Sequence, residues 1–392
     1  MRGPRRPEMR GLFLLRPGVA YLNHGSFGAC PRPVFERYQA WQRELEAQPV
    51  EFLGRRFAAL MRSAREALGT FVGADPDDLV FVPNATTGLN AVARSLRLEP
   101  GDEVLATDHE YGALDRTWTF LCEKAGARYV RQRVPVPFGT PGEVADAVWS
   151  GVTERTRVLF VSHVTSTTAL VFPVAELARR ARERGIVSVV DGAHAPGLVP
   201  LDVRAVGADF YAGNCHKWMN APKGSAFLWA RRDAQAIVEP LVVSWGWRPE
   251  RPGPSRFVDE HEWQGTRDVA AYLSVPAAID FMSANGWDAV RNSCRELAAS
   301  ARERVNALTG KPPLAPADES WFAQMATMEL PLCDHELLQR RLYDEFAVEI
   351  PTFSWNGGSW IRVSIQAYND EGDVDTLVRA LTQLLPQVVR KG

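Results

Sequence analysis

Asp191 and Lys217 stand 26 residues apart, and each follows or closes an apolar, strand-like run. The first run is Ile186 to Val190, followed at once by Asp191-Gly192-Ala193-His194. The second is Ala208 to Gly213, followed by Asn214-Cys215-His216-Lys217-Trp218. A lysine amine can condense with an aldehyde. A carboxylate can keep a ring nitrogen protonated, so that the ring draws electrons from a substrate Cα. Pyridoxal phosphate (PLP) is the cofactor that uses both. The alternative is a buried Asp capping a helix and a surface Lys in a loop, and the context has to decide.

Other polar clusters repeat the pattern of a strand followed by reactive residues. Asn84-Ala85-Thr86-Thr87-Gly88 lies between a strand and a helix, where backbone N–H groups and a threonine hydroxyl make an anion site suited to a phosphate. A plain N-cap by Asn84 or Thr86 is the simpler reading. Asn214 and His216 flank the lysine and can add donors to the same phosphate, or His216 is a packed, satisfied histidine. Gly265-Thr266 is a further phosphate contact or merely a turn. Tyr111, or second to it His109, can cover the open face of a pyridine ring, with a stacking gain of about 1 kcal/mol. Tyr111 can equally pack on the helix that it begins. His194, three residues after Asp191, is placed to reach a ring hydroxyl or an imine. Arg362 sits in the apolar run Trp360 to Ser364, where a guanidinium needs a partner. A bidentate grip on an α-carboxylate or a structural salt bridge would supply one. Asn23-His24-Gly25 reads as a turn with exposed donors.

The elements that must position these residues alternate. Strands are expected at Leu79 to Val82, Glu103 to Ala106, Arg128 to Arg131, Val158 to Val161 and Ile186 to Val190. Helices are expected after Gly88, from Tyr111 to Ala125, and from Val174 to Arg184. Short apolar strands alternating with helices predict an α/β fold with a mostly parallel sheet covered on both faces. Ligands of such sheets gather at the carboxyl ends of the strands, where these clusters lie. From about residue 240 the texture changes to loop, then to a helical pattern from Val269 to Met282. A smaller α+β part follows, with strands at Phe322 to Leu330, Val348 to Ile350 and Trp360 to Ser364. Its helices are expected at His335 to Phe346 and Asp373 to Leu385. The stretch Pro351 to Gly358 reads as loop.

Composition narrows the class. Hydrophobic residues make up 46% of the 392-residue chain, charged residues 23%, and the net charge is −2. No basic excess points to nucleic acid, and no apolar stretch reaches the length of a membrane span. The basic, briefly apolar start, Met1 to Leu15, lacks the long apolar core and cleavage site of a signal peptide. The five cysteines have no metal spacing and read as reduced thiols in a cytoplasmic protein. Trp245, Trp247, Trp263 and Trp355 would suit an aromatic substrate channel; a packed dimer interface is the simpler account.

Taken together, several segments resemble the class V aminotransferase-fold PLP enzymes, and within them the isopenicillin N epimerase-like branch. They are Tyr21 to Gly28, Asn84-Ala85-Thr86, Ser162 to Ser166, Asp191 to His194 and His216-Lys217-Trp218. The likeness runs from about Tyr21 to the C-terminal helix. It implies a fold type I homodimer whose large domain carries a mostly parallel seven-stranded sheet, with a smaller α+β domain built from both termini. The division is 1–30 joining the small domain, 31–265 binding the cofactor, and 266–392 as the small C-terminal domain. It implies PLP held as an imine by Lys217, with Asp191 at its ring nitrogen and His194 and Tyr111 around the ring. Ala85, Thr86, Asn214 and His216 would lie near its phosphate, with Thr266 arriving from the neighbouring subunit. Arg362 would take the substrate carboxylate, with Asn23 and His24 close by. Related cysteine desulfurases carry a nucleophilic cysteine shortly before the arginine strand. Here Pro351 to Gly358 has none, so persulfide chemistry by that route is not expected.

The resemblance implies removal of the Cα proton by the Lys217 amine. Reprotonation then gives epimerisation, loss of a β-thiolate gives C–S lysis, and protonation on the cofactor gives transamination. Epimerisation needs a second acid, for which Tyr111 or His109 would serve. A PLP-binding regulator without turnover is the competing class. Only about 20 residues precede the matched region, too few for a helix-turn-helix.

Overall fold

The computed structural model describes residues 6–389. The first five and last three residues, which belong to the expected terminal segments, lie outside the described residues. The strands in chain order are β1 (Ala20–Tyr21), β2 (Leu79–Val82), β3 (Glu103–Thr107), β4 (Arg128–Gln132), β5 (Thr156–Ser162), β6 (Val187–Asp191), β7 (Phe210–Asn214), β8 (Ala226–Ala230), β9 (Met325–Leu330), β10 (Val348–Glu349), β11 (Thr352–Trp355) and β12 (Gly358–Ser364).

Strands β2 to β8 form one seven-stranded sheet in the order β2-β8-β7-β6-β5-β3-β4. The run from β4 to β7 is parallel, and β8 enters antiparallel between β7 and β2. This is the expected mostly parallel sheet, with one reversed strand that the sequence reading did not identify. Helices cover both faces. Val80, Val82, Val104, Ala106, Phe160 and Val189 pack into one apolar layer, while Leu79, Phe81, Leu105, Leu159, Val161 and Val190 pack into the other. With both faces buried there is no polar alternation, which is why these strands read as continuous apolar runs. At the edge, β4 keeps Arg128 and Arg131 exposed.

A three-stranded antiparallel sheet, β11-β12-β9, carries the C-terminal part. The helices Trp287–Thr309, His335–Phe346 and Glu371–Val388 pack around it. The N-terminus joins this part because β1 pairs in parallel with β10, Ala20 against Val348.

Some expectations change. Pro351 to Gly358 is not loop but the hairpin joining β11 to β12. The pattern from Val269 to Met282 divides at Ser274 into helices Ala270–Leu273 and Val275–Ala284. Pro276 has no N–H to continue a helix and suits the first turn of a new one. Helices Arg32–Ala47, Phe57–Val72 and Trp287–Thr309 were not foreseen. No helix among the described residues is long and apolar enough to cross a membrane.

Candidate active site

The parallel register brings the strand ends side by side. Ser162 on β5 pairs with Asp191 on β6, which pairs with Ala212 on β7. Above them opens a cavity of about 550 Å³, walled by the Asn84 to Thr87 turn, Tyr111, Asp191, His194, His216 and Lys217. Gly192 is obligatory here, since a Cβ at that position would strike the Tyr211 ring.

Lys217 lies on the turn after β7. Burial lowers its pKa to about 7; Arg362 pushes the same way and Asp191 opposes. Asp191 is only 3% exposed. Burial raises its pKa, while the Ala193 N–H at 2.9 Å and Lys217 favour the anion. His194 connects the groups: its Nε2 stands 3.1 Å from Lys217 Nζ, and its Nδ1 accepts the Trp218 indole N–H at 3.2 Å.

Arg362 lies on β12 and is buried. It donates to the backbone oxygen of Ser166, to Ser166 Oγ at 3.1 Å and to Ser26 Oγ at 3.3 Å. No carboxylate pairs with it among the described residues, and its Nε has no partner. Burial lowers its pKa to about 10. A desolvated guanidinium held only by neutral oxygens is an anion receptor in waiting.

At the start of helix Ala85–Ser95, Asn84 Oδ1 accepts the Thr87 N–H at 2.8 Å. Asn214 Oδ1 accepts the Ala85 N–H at 2.9 Å. Thr86 faces the cavity, and its N–H and hydroxyl have no partner among the described residues. His216 donates Nδ1–H to Ser225 O at 3.0 Å, and burial lowers its pKa to about 4. Its Nε2 gains a proton only when a nearby anion favours one.

A family model described as aminotransferase class-V matches residues 20–377. This chain belongs to the class V aminotransferase family. An isopenicillin N epimerase of Amycolatopsis lactamdurans is 40% identical over 383 residues, covering 94% of this chain and 96% of that protein. An L-cysteine desulfhydrase of Arabidopsis thaliana is 27% identical over 432 residues, covering 98% and 94%. A solved structure of a C-DES mutant, with glycine covalently linked to its PLP cofactor, superimposes with a TM-score of 0.83 at 22% identity, covering 97% of this chain and 99% of that one. The fold is the type I fold of PLP enzymes.

The residues of this class V site fit PLP. A buried amine with lowered pKa, a buried carboxylate, the Thr86 N–H and hydroxyl at a helix start and a buried guanidinium with no carboxylate partner meet in one cavity. Several sequence expectations need correction. Ala85 has no N–H left for a phosphate, because Asn214 takes it. Asn23-His24 is not an exposed turn: both residues are buried, and helix His24–Phe27 begins there. His24 bonds Tyr368 Oη at 2.9 Å and the Lys217 carbonyl at 3.0 Å, so it fixes the lysine backbone rather than touching substrate. Asn23 Oδ1 instead accepts from Ser26 Oγ at 2.5 Å, one step behind Arg362. His109 is sealed between Thr168 Oγ1 and the Val134 carbonyl, which rules it out as ring cover or acid. None of Trp245, Trp247, Trp263 and Trp355 lines the cavity. Trp355 donates to the Asp108 carbonyl at 2.9 Å, and Trp263 packs edge-on to Phe57. Thr266 is exposed and away from the cavity of its own chain.

Sequence reasoning missed Ser26, Ser166 and Glu110. Glu110 is buried, with hydroxyls from Thr107 at 2.6 Å and Ser162 at 2.5 Å. The available signal was an acidic residue three positions after a strand with no exposed face.

Proposed function

We propose that this class V enzyme binds PLP and abstracts the Cα proton of an amino acid, in the epimerase- or racemase-type chemistry named for its 40% identical relative. The observation that carries this is the buried Lys217 amine, its pKa lowered to about 7, beside His194 in one cavity with Arg362, which has no carboxylate partner among the described residues. When bound, PLP supplies an electron sink for the charge that develops at Cα.

The chain's own groups then have definite tasks. Lys217 forms the covalent link to the cofactor and, once freed, takes the proton from Cα. Asp191 holds a proton on the ring nitrogen. Thr86, Asn214 and His216 would hold the phosphate, and Tyr111 would cover the ring. Arg362 grips the α-carboxylate, and the Ser26 and Ser166 oxygens fix its fork. With His109 sealed away, Tyr111 is the phenol able to return a proton to Cα. In a homodimer, Thr266, exposed and remote from the cavity of its own chain, would reach the phosphate of the second copy. The joining of β1 to β10 and the separate sheet of β9, β11 and β12 support a small domain built from both ends of the chain, divided from the large one at 30 and 265. Five free thiols suit a reducing, cytoplasmic setting.

C–S β-lysis is the second reading, favoured by the L-cysteine desulfhydrase relative. It needs Lys217 and a leaving group but no returning acid. Transamination would use the same start. The hairpin from Thr352 to Gly358 has no cysteine, so a persulfide route has no nucleophile there. The test is incubation of the PLP-loaded protein with L-amino acids and cysteine conjugates in heavy water. Deuterium at Cα with loss of optical purity supports the first reading. Pyruvate with thiol supports the second, and a keto acid supports transamination. No Cα exchange, no pyruvate and no keto acid with any of them would overturn all three.

A further inference from the structure

We infer that Glu110, as a neutral acid, donates to Ser162 and so turns the Ser162 hydroxyl proton into the cavity, making Ser162 a donor to an oxygen atom of the bound ligand. The inference rests on the cofactor reading above and adds to it a ligand contact and the positioning residue that aims it.

The argument begins with hydrogen-bond direction. Thr107 Oγ1 accepts the His109 backbone N–H at 3.2 Å and lies 2.6 Å from Glu110 Oε1. Thr107 thus accepts the His109 N–H on one lone pair and donates its single hydroxyl proton to Oε1. The other carboxyl oxygen, Oε2, lies 2.5 Å from Ser162 Oγ. If Glu110 were ionised it could only accept, and the Ser162 proton would point back at it. As a neutral acid it carries a proton on Oε2, gives that proton to Ser162 Oγ, and leaves the serine O–H free. Ser162 lines the cavity and is registered against Asp191, so the freed proton faces the ligand.

The surroundings favour the neutral acid. Asp191 from β6 faces Glu110, as does Tyr129 from β4, whose hydroxyl is engaged with Asp115 at 2.6 Å. Its own turn adds Asp108 and His109, and burial keeps His109 neutral. No cation pairs with Glu110 among the described residues. Burial first, then Asp191, raises its pKa to about 8, against the pull of the two hydroxyls and of the Ser162 backbone N–H. Asp191 is then the carboxylate left to hold a charge beside the cofactor.

Glutamine is the isosteric test. Its amide N–H₂ donates to Ser162 while its carbonyl accepts from Thr107, so Glu110→Gln imitates the neutral acid at every pH. PLP binding is measured from pH 6 to pH 9 for wild type, Glu110→Gln, Glu110→Leu and Ser162→Ala. Wild-type affinity falls about tenfold as pH rises through the Glu110 titration, the worth of one hydrogen bond to a charged ligand. Glu110→Gln matches wild type at pH 6 within about threefold and lacks that fall. Ser162→Ala is weak throughout and also lacks it. Glu110→Leu is weaker than Glu110→Gln at pH 6.

Urea unfolding of the cofactor-free protein gives an independent reading. A carboxyl with a raised pKa makes the folded state bind more protons than the unfolded one. Its stabilisation is therefore present at low pH and lost between pH 4.5 and about 8. Glu110→Gln removes that part of the slope. The same pH dependence in wild type and Glu110→Gln by both measurements, or wild-type affinity in Ser162→Ala at pH 6, would overturn the inference. Failure of every protein to bind PLP would sink the cofactor reading instead, and the stability comparison would still decide the state of Glu110.

Discussion

Lys217 Nζ faces His194 Nε2 at 3.1 Å, and Nδ1 of the same imidazole accepts the Trp218 indole at 3.2 Å. An indole N–H only donates, so Nδ1 carries no proton. Burial keeps His194 neutral, which places its one proton on Nε2. That N–H points at the lysine, and Nζ can receive it only as a free amine. Trp218, through His194, thus fixes Lys217 as a nucleophile with its lone pair occupied until a carbonyl arrives.

Trp218→Phe should free His194 to exchange tautomers and let Nε2 accept from a lysine ammonium. The Lys217 titration is expected to move up from about 7 by roughly one unit, a change of ~1.4 kcal/mol. The pH dependence of the rate at which the cofactor-free protein captures PLP reports this directly. An unmoved midpoint would show that the indole does not set the tautomer.

Lys217→Met should abolish Cα proton exchange and yet stabilise the cofactor-free fold at pH 7. The folded pKa of about 7 lies below the ordinary lysine value of 10.5. The unfolded chain therefore holds more protons between those limits. Wild-type stability rises with pH across that window, and below it the full cost of the buried charge applies. The methionine variant should lack the rise and melt at higher temperature at pH 7. Calorimetry from pH 6 to pH 10 measures both effects, and a lower melting temperature at pH 7 would contradict the burial argument.

Arg362→Ala should lower kcat/KM for α-amino acids by at least ~100-fold, the range for truncating a buried charged hydrogen-bond partner. The corresponding amines without a carboxylate should lose far less. Removing the guanidinium also removes a repulsion from Lys217, so the lysine pKa should rise. Equal losses for acids and amines would take Arg362 away from the carboxylate.

Thr266→Ala should weaken PLP binding by about tenfold, one hydrogen bond to a charged group. The residue should act on its neighbour. Mixing Thr266→Ala and Lys217→Ala homodimers is expected to yield hybrids with one site of normal affinity. If no such site forms, Thr266 does not reach across the dimer.

Gly28 binds the N-terminal segment to the lysine turn. It adopts φ +71, and a Cβ there would collide with the His216 carbonyl. Gly28→Ala is expected to cost about 3 kcal/mol in urea unfolding, combining left-handed strain with the displaced backbone. It should also weaken PLP capture, since the displaced turn carries Lys217.

The residues differ in how legible they were. Asp191, Lys217 and Thr86 could be read because each follows an apolar run, and strand ends are where a parallel sheet presents ligand-binding groups. A helix was expected around His335 to Phe346, and one lies there, its start capped by Asp334. The strand β8 was missed because nothing in Ala226 to Ala230 distinguishes a reversed strand from any other apolar run. His24 was misread because a histidine beside a glycine looks like a turn until Tyr368, 344 residues away, is packed against it.

The order of the chain determined the alternation of strands and helices, the apolar layers and the placing of an amine and a carboxylate at neighbouring strand ends. Those features depend on residues close in sequence and on the two periodicities of backbone structure. The tertiary structure decided protonation and direction. Trp218 sets the tautomer of His194, Asn214 takes the Ala85 N–H, the Ser26 and Ser166 oxygens hold Arg362 without a counter-charge, and Ser162 meets Glu110. Each depends on desolvation and on hydrogen bonds mostly between distant segments. Neither exists before the chain has folded.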